Sequence, residues 1–259
     1  MPSAGPTWLT DDLWLAAHDG VKGARLIGER PLGVGLAAGL LAELVHAGWL
    51  ELREGELFRT GANLPSDPAL RPLLVRMEAE EQERAAVQAR EDEGRGPRAS
   101  ERGSWPPPVR QETRHRLRGH QLKAWMAYLA YEGRAEARVV DRLSRTGLVR
   151  REERRRLFGG TTARYVPCDA NASGLPANSI TQAVHHGRPL PGLDAFLAGL
   201  LLATGLHHHA FATLSTHERS LLGGLIKTGL TDPGEPGIRA MLRELLRAAD
   251  AAVGEAAMR

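Results

Sequence analysis

One structural unit occurs twice in this sequence, and it limits the folds that the chain can adopt. Residues 40–58 (LLAELVHAGWLELREGELF) and 139–158 (VVDRLSRTGLVRREERRRLF) each show a helical pattern that ends at a glycine. Glycine ends helices readily because it adopts a left-handed backbone conformation without strain. A short strand pattern with a turn follows in each unit. Each unit is therefore predicted to be a helix followed by a β-hairpin, as in a winged-helix module.

The rest of the sequence predicts helices. Alanine, leucine and arginine, which are strong helix formers, are prominent, whereas aromatic residues make up only 5%. Thr10 can cap a first helix that has Asp11 and Asp12 in its first turn. Further helices are predicted at residues 34–47, 70–77, 120–133, 177–187, 193–205, 207–229 and 235–257. We expect a mainly α fold: a helical bundle with peripheral amphipathic helices and two short β-hairpins.

A charged segment interrupts this pattern between residues 79 and 118. It is rich in proline and glycine and contains few apolar residues. Its first part is predicted to extend the preceding helix, and the rest is predicted to be a linker. A chain of 259 residues can bury a substantial core. We expect one domain over residues 1–259, with this segment as an insertion.

The sequence predicts no membrane-spanning segment. The longest apolar stretch, residues 193–206, is shorter than the ~18–20 apolar residues that a span needs. The single cysteine, Cys168, cannot form an internal disulfide, which fits a reducing compartment. The N-terminus lacks the basic and then apolar pattern of a signal peptide. We expect a cytoplasmic protein whose contact with the inner face of the membrane is peripheral.

No catalytic, metal or cofactor motif is recognisable. His207, His208 and His209 are consecutive, so on a helix they point about 100° apart and cannot share one face. The glycine-rich residues 33–39 (GVGLAAG) neither follow a buried strand nor precede a Walker lysine, and close helix packing explains them better. We therefore expect a protein without enzymatic activity, cofactor or metal.

The informative cluster is basic. Arg134, Arg138 and Arg142 recur every four residues and are predicted to form one stripe on a helix, which Arg145 extends. Leu157 and Phe158 lie beside two glycines at or near the tip of the second hairpin. Arginines can bind phosphate through paired hydrogen bonds, and an apolar tip between arginines suits entry into a headgroup layer. Alternatively, the arginines pair with Glu136, Asp141, Glu152 and Glu153, and the tip packs in the core.

Several segments resemble one known family. Residues 35–58 match the pattern G-L-x-x-x-x-L-x-E-L-x-x-x-G-x-L-x-L, and residues 139–167 look like the second helix and hairpin of that family. Residues 9–19 (LTDDLWLAAHD), residues 65–74 (PSDPALRPLL) and the leucine-rich C-terminal half also fit. The chain resembles the Golgi phosphoprotein 3 family, whose bacterial members occur in actinobacteria. The resemblance covers nearly the whole chain outside residues 79–118.

This resemblance implies a helical bundle that binds phosphatidylinositol 4-phosphate and inserts an apolar hairpin into the membrane. The binding tryptophan of the family falls near Ile27 and Gly28, and its first arginine falls at Ala37. Its other two arginines fall near Gly133 and Glu136, beside Arg134 and Arg138. The apolar tip matches at Leu157 and Phe158. Arg25 and Arg30, in the loop before the first motif helix, are expected to supply replacement phosphate contacts.

Three functional hypotheses follow. The first is a peripheral membrane protein that binds anionic phospholipid through Arg25, Arg30, Arg134, Arg138 and Arg142, beside the Leu157–Phe158 tip. The second is a winged-helix-like DNA-binding regulator. We do not expect nucleic acid as the partner, because the basic helix lacks the Asn and Gln residues that read bases. The third is a scaffold that binds an acidic protein partner through the same face.

Overall fold

The computed structural model describes residues 8–61, 63–94, 119–155, 161–231 and 233–257. Its helices are α1 (Leu9–Ala16), α2 (Glu29–His46), α3 (Arg71–Gly94), α4 (Leu122–Ala130), α5 (Arg134–Arg145), α6 (Leu175–His185), α7 (Gly192–Ala203), α8 (His207–Ala210), α9 (Thr216–Gly229) and α10 (Pro236–Ala257). Its strands are β1 (Leu50–Arg53), β2 (Glu56–Arg59), β3 (His120–Gln121), β4 (Val149–Arg155) and β5 (Thr161–Pro167). The mainly α prediction with short hairpins is confirmed.

Helix α2 forms the centre of the core. Every residue from Leu32 to Val45 is buried, including one charged residue, Glu43. Helices α1, α4, α5, α7 and α10 pack around it. A helix that is apolar on all sides belongs inside a bundle, because any exposed face would leave apolar surface in water. Helix α2 begins at Glu29, five residues before the predicted start at Val34.

The glycines of α2 mark places where a neighbour comes close to its backbone. A Cβ atom at Gly39 would lie 2.4 Å from the Cγ2 atom of Thr10 in α1. A Cβ atom at Gly33 would lie 3.0 Å from the carbonyl oxygen of Ala130 at the end of α4. Residues 33–39 therefore serve close helix packing, as predicted, and lie inside a helix instead of forming a phosphate loop.

Both predicted hairpins are present. Strands β1 and β2 pair antiparallel and are joined at Glu54 and Gly55, whose φ angles of 50° and 77° suit a tight hairpin turn. Strand β3 adds to this sheet by pairing with β2, a strand that the sequence pattern did not predict. Strands β4 and β5 pair antiparallel, with Val149 opposite Pro167 at the base of the hairpin.

Two predicted details of the helices are wrong. Thr10 does not cap α1: Trp8 occupies the N-cap position, and the Thr10 side chain is buried within the helix. Residues 207–229 do not form one helix, because α8 ends at Ala210 and α9 begins at Thr216. Ser215 and Glu218 form a reciprocal capping box at the start of α9. A capping box satisfies the free N–H groups of a first turn, so it starts a new helix there.

Helix α3 continues into the charged segment. The predicted extension is confirmed to Gly94, and residues 82–91 are exposed along it. Buried His120 holds its middle, with one ring nitrogen 3.2 Å from a carboxylate oxygen of Glu80 and the other 3.2 Å from one of Glu81. Arg84 donates to the carbonyl oxygen of Gly119 at 3.2 Å. The predicted linker, residues 95–118, lies outside the described residues, so the single-domain prediction stays a prediction.

Candidate functional site

Three segments meet at the N-terminal end of α2: the loop between α1 and α2, the turn after α4, and the first turn of α5. The guanidinium of Arg25 in the loop donates to both carboxylate oxygens of Glu136 in α5, at 3.3 and 2.7 Å. It also lies 3.3 Å from the carboxylate of Glu29 in α2. This contact joins residues 111 positions apart in sequence and ties the loop between α1 and α2 to α5. The predicted arginines Arg25, Arg30, Arg134 and Arg138 lie on these segments and on the first turn of α2. We call these four residues the basic face.

Arg134 is held at the start of α5 by aromatic residues. Its guanidinium lies 4.5 Å from the ring centre of Tyr128 and 5.3 Å from that of Tyr131. Its Nη2 atom is 3.2 Å from the carboxylate of Glu132. Glu132 and Gly133 have φ angles of 52° and 65°, and this left-handed turn separates α4 from α5. Tyr131 is exposed, so the aromatic side of the basic face is open to solvent.

Arg30 and Arg138 are less engaged. Arg30 is exposed in the first turn of α2, and Arg138 is half-buried on α5. The Nε atom of Arg138 is buried and has no hydrogen-bond partner within the described ranges. Gly28, at the N-cap of α2, has no side chain with which to cap the helix. The first N–H groups of such a helix carry a partial positive charge, which adds to the charge of Arg30.

Arg142 does not belong to the basic face, and the prediction of a continuous stripe is wrong at this position. Its side chain is 2% exposed, and its Nη1 atom lies 3.0 Å from the carboxylate of Glu43. A helix turns 100° per residue, so eight residues after Arg134 the direction has rotated by about 80°. That rotation points Arg142 into the bundle, whereas Arg145 is exposed and pairs with Asp141 at 3.0 Å.

The Arg142 cluster joins four segments inside the protein. Its guanidinium contacts Asp11 of α1 at 2.9 Å, Glu43 of α2 at 3.0 Å and Asp67 of the loop before α3 at 3.4 Å. Thr10 accepts a hydrogen bond from Arg142 and donates its hydroxyl to Glu43 at 2.8 Å. Burial raises the pKa of Asp11 to about 6, although the charge of Arg142 acts to lower it. This cluster is a structural clamp that a ligand in solvent does not reach.

His18 is buried beside Glu136, with its Nε2 atom 3.7 Å from the carboxylate. Its ring stacks on Trp14 with centroids 3.8 Å apart, and its Nδ1 atom is 2.7 Å from the Trp14 carbonyl oxygen. Burial lowers the pKa of His18 to about 4, and the positive charges of Arg25 and Arg164 lower it further. The residue is therefore neutral at physiological pH. The sequence did not predict this buried histidine, because no motif distinguishes His18 from other residues that follow a helix.

The second hairpin carries paired charges along its described part. Arg150 contacts Glu152 at 2.8 Å, and Arg151 contacts Glu153 at 3.9 Å. The alternative interpretation of the basic cluster, that its arginines pair with nearby carboxylates, therefore holds for this hairpin. The predicted membrane-inserting tip, Leu157 and Phe158, lies outside the described residues.

The exposed side of α5 does not resemble a DNA-recognition surface. It carries Ala137, Asp141, Ser144 and Arg145, and the Asp141 carboxylate faces solvent in its pair with Arg145. A carboxylate on that surface repels the phosphates that supply most nonspecific affinity. No observation on this helix favours the nucleic-acid hypothesis.

The family positions map around the basic face. Ile27 and Gly28 lie between Arg25 and Arg30 in the sequence, and Gly133 and Glu136 lie on either side of Arg134. Glu136 accepts a hydrogen bond from Arg25. Ala37 is fully buried inside α2, so a side chain at this position does not reach the face. Arg25, Arg30 and Arg134 thus provide the guanidinium groups of this surface, in positions that differ from those of the resemblance.

Within the described ranges, no helix is long and apolar enough to cross a membrane, and no three His, Cys, Asp or Glu side chains converge as metal ligands. Comparison with curated proteins gave no match. The model of the Golgi phosphoprotein 3 (GPP34) family matches residues 9–244. This match covers α1 to α9 and the first part of α10, and the chain therefore belongs to the Golgi phosphoprotein 3 (GPP34) family.

Proposed function

We propose that this chain is a non-catalytic, cytoplasmic protein that binds peripherally to the inner face of a membrane. Its ligand is the anionic headgroup of a phospholipid, and its binding surface is the basic face, Arg25, Arg30, Arg134 and Arg138. The apolar residues Leu157 and Phe158 of the second hairpin enter the bilayer beside it.

One observation carries this proposal: Arg25 and Arg30 lie at the N-terminus of α2, which has no side-chain cap. Helix N-termini favour anions because their N–H groups have no partner within the helix. Arginine favours phosphate because its planar guanidinium offers paired donors. Arg30 stands exposed on that first turn, and Arg25 is held beside it by Glu29 and Glu136. An anionic phosphate can replace one of these carboxylates as the partner of Arg25.

The charge balance favours a general anionic surface over one specific lipid. Three carboxylates, those of Glu29, Glu132 and Glu136, lie among the four arginines. The resemblance implies phosphatidylinositol 4-phosphate, but neither its tryptophan nor its arginine positions are kept. We therefore expect phosphatidylglycerol and phosphatidylinositol 4-phosphate to recruit the protein to similar extents at matched charge.

Vesicle co-sedimentation tests the proposal. Three vesicle types are compared: phosphatidylcholine alone, with phosphatidylglycerol, and with phosphatidylinositol 4-phosphate. The wild type is expected to sediment with both anionic types and to stay in solution with phosphatidylcholine. Equal sedimentation with all three, or with none, contradicts the proposal.

Matched variants locate the surface. Arg30→Gln and Arg134→Gln are each expected to weaken binding about fivefold, since a basic residue near an anionic membrane contributes about 1 kcal/mol. Arg219→Gln, which removes an exposed arginine on α9, is the control and is expected to bind like the wild type. If Arg219→Gln weakens binding as much as the other two, net charge and not this surface drives the association.

A further inference from the structure

The loop between α1 and α2 presents an aliphatic side chain to solvent at its apex. Val21 exposes 74% of its surface, more than any other large apolar residue in the described part of the chain. Lys22, the next residue, is also exposed. A single exposed aliphatic residue is ordinary on a protein surface. Val21 differs from such a residue in the contacts that fix its loop and in the charged residues near it.

Asp19 holds the apex in one conformation. Its side-chain oxygen accepts hydrogen bonds from the backbone N–H groups of Val21 at 3.0 Å and Lys22 at 2.5 Å. Its own backbone N–H donates to the carbonyl oxygen of Ala24 at 2.8 Å. These bonds fix the backbone on both sides of Val21. A surface that is already ordered loses little conformational entropy on binding.

The loop is also seated on β5 and the turn that follows it. A Cβ atom at Gly23 would lie 2.4 Å from the carbonyl oxygen of Tyr165. A Cβ atom at Gly20 would lie 2.1 Å from the carbonyl oxygen of Ala170. Only glycine permits such contacts, so the loop cannot fold Val21 inward without losing them. The apex is therefore held outward by close packing on both sides.

A second exposed aliphatic residue lies at the start of α6. Leu175, at the start of α6, exposes 60% of its surface. Gly20 and Gly174 both line a cavity of about 260 Å³ between the α1–α2 loop and α6. Val21 directly follows the first glycine, and Leu175 directly follows the second. Each aliphatic residue is thus one position in sequence from a residue that lines this cavity.

Basic residues lie in and near the loop that carries Val21. Lys22 and Arg25 belong to the loop itself. The positive charge of Arg164 in β5 also acts to lower the pKa of both His18 and Asp19, so Arg164 lies within electrostatic range of the loop. The carboxylate of Asp19 is occupied by backbone N–H groups. Apolar side chains among cations suit the boundary between headgroups and acyl chains of an anionic bilayer.

We propose that residues 19–25, together with Leu175, form a second membrane-contact element, separate from the hairpin tip. Val21 and Leu175 enter the headgroup–acyl boundary, and Lys22 and Arg25 contact lipid phosphates. This inference rests on the proposed function, because it assumes that the neighbouring basic face docks on anionic lipid.

A fluorescent label tests whether the apex enters the bilayer. The exposed thiol of Cys168 is first removed by Cys168→Ser, and an environment-sensitive fluorophore is attached through Val21→Cys. Val87→Cys, at an exposed position of α3, is the matched control. On phosphatidylglycerol vesicles we expect a blue shift from position 21 and none from position 87.

Charge substitutions give an independent measurement. Val21→Asp is expected to weaken vesicle binding on the order of tenfold, as partial burial of one valine predicts. Val87→Asp is expected to bind like the wild type. If neither the wild type nor any variant sediments with anionic vesicles, both this inference and the proposed function are overturned.

Other outcomes overturn this inference alone. The first is sedimentation of the labelled protein while the fluorophore at position 21 stays in water. The second is a Val21→Asp variant that changes the oligomeric state in analytical ultracentrifugation without weakening vesicle binding. That result would assign the apex to a protein contact.

Discussion

Asp11 in α1 and His18 just after this helix are both buried, and their effects on stability oppose each other. Burial raises the pKa of Asp11 from 3.8 to about 6. Burial lowers the pKa of His18 from 6.5 to about 4. In the unfolded chain both groups return to their ordinary pKa values. Each group therefore makes the free energy of unfolding depend on pH between about 4 and 6.5.

The two contributions have opposite signs. As pH rises through this window, unfolded Asp11 loses its proton while folded Asp11 keeps it, so the protein loses stability. Over the same window, unfolded His18 holds a proton that folded His18 has released. The free energy of unfolding therefore rises with pH. One pKa unit corresponds to about 1.4 kcal/mol, so each contribution is about 3 kcal/mol. The contributions of Asp11 and His18 are therefore expected to nearly cancel in the wild type between these pH values.

Single substitutions separate the two contributions. Asp11→Asn keeps an oxygen that can accept a hydrogen bond from Arg142 and leaves His18 unopposed. Its free energy of unfolding is expected to rise by about 3 kcal/mol from about pH 4 to about pH 7. His18→Phe keeps a ring against Trp14 and leaves Asp11 unopposed, so its free energy of unfolding is expected to fall by a similar amount.

Urea unfolding at several pH values measures these slopes. Asp141→Asn, at an exposed position of α5, is the control and is expected to keep the pH profile of the wild type. Only slopes matter, because a constant cost of either substitution shifts the whole curve. Parallel curves for Asp11→Asn, His18→Phe and the wild type would refute the assignment of opposing proton linkage to these two residues.

Further substitutions test the packing of the fold. Arg142→Met strands buried carboxylates and is expected to cost about 3–5 kcal/mol in urea unfolding, whereas exposed Arg145→Met is expected to cost less than about 1 kcal/mol; equal losses would contradict the buried clamp. Gly39→Ala places a methyl group 2.4 Å from its neighbour and is expected to lower stability in thermal melts by about 1–3 kcal/mol. Gly254→Ala meets no atom within 4 Å and is expected to raise stability by about 0.5–1 kcal/mol. His120→Ala removes the contact that holds the middle of α3, so limited proteolysis is expected to cut residues 82–91 faster, and an unchanged cutting rate would show that the contact is dispensable.

Local sequence patterns were sufficient for most of the fold. The periodic leucines and alanines define the helices, and the glycines at positions 48 and 147 end them before the hairpins. Strand β3 was missed because a two-residue strand shows no alternation. The break between α8 and α9 was not predicted, because the histidine run and the apolar residues after it were interpreted as one continuous helical pattern. The Ser215–Glu218 capping box was a local signal that marks this break.

The site depends on long-range contacts that periodicity does not show. Arg25, Arg30 and Arg134 were identified from the sequence, but the pairing of Arg25 with Glu136 joins residues far apart in the chain. The inward direction of Arg142 follows from the rotation of a helix over eight residues. Glu43 is the one charged residue in the otherwise apolar stretch from Leu32 to Val45. A buried carboxylate needs a partner, so Glu43 was the available signal for a buried cation.

The contact of Arg84 with Gly119 brings two positions that are 35 residues apart in sequence close together, and the residues between them are called the excursion below. For a segment whose ends are fixed together, each doubling of length costs only about 0.6 kcal/mol of closure entropy. The number of residues between these two positions is therefore almost free to vary. We expect that the excursion can be shortened, lengthened or exchanged for a reporter domain while α1, α2 and α5 keep their mutual arrangement. Evolution can change what this excursion carries without changing the surface that the bundle presents.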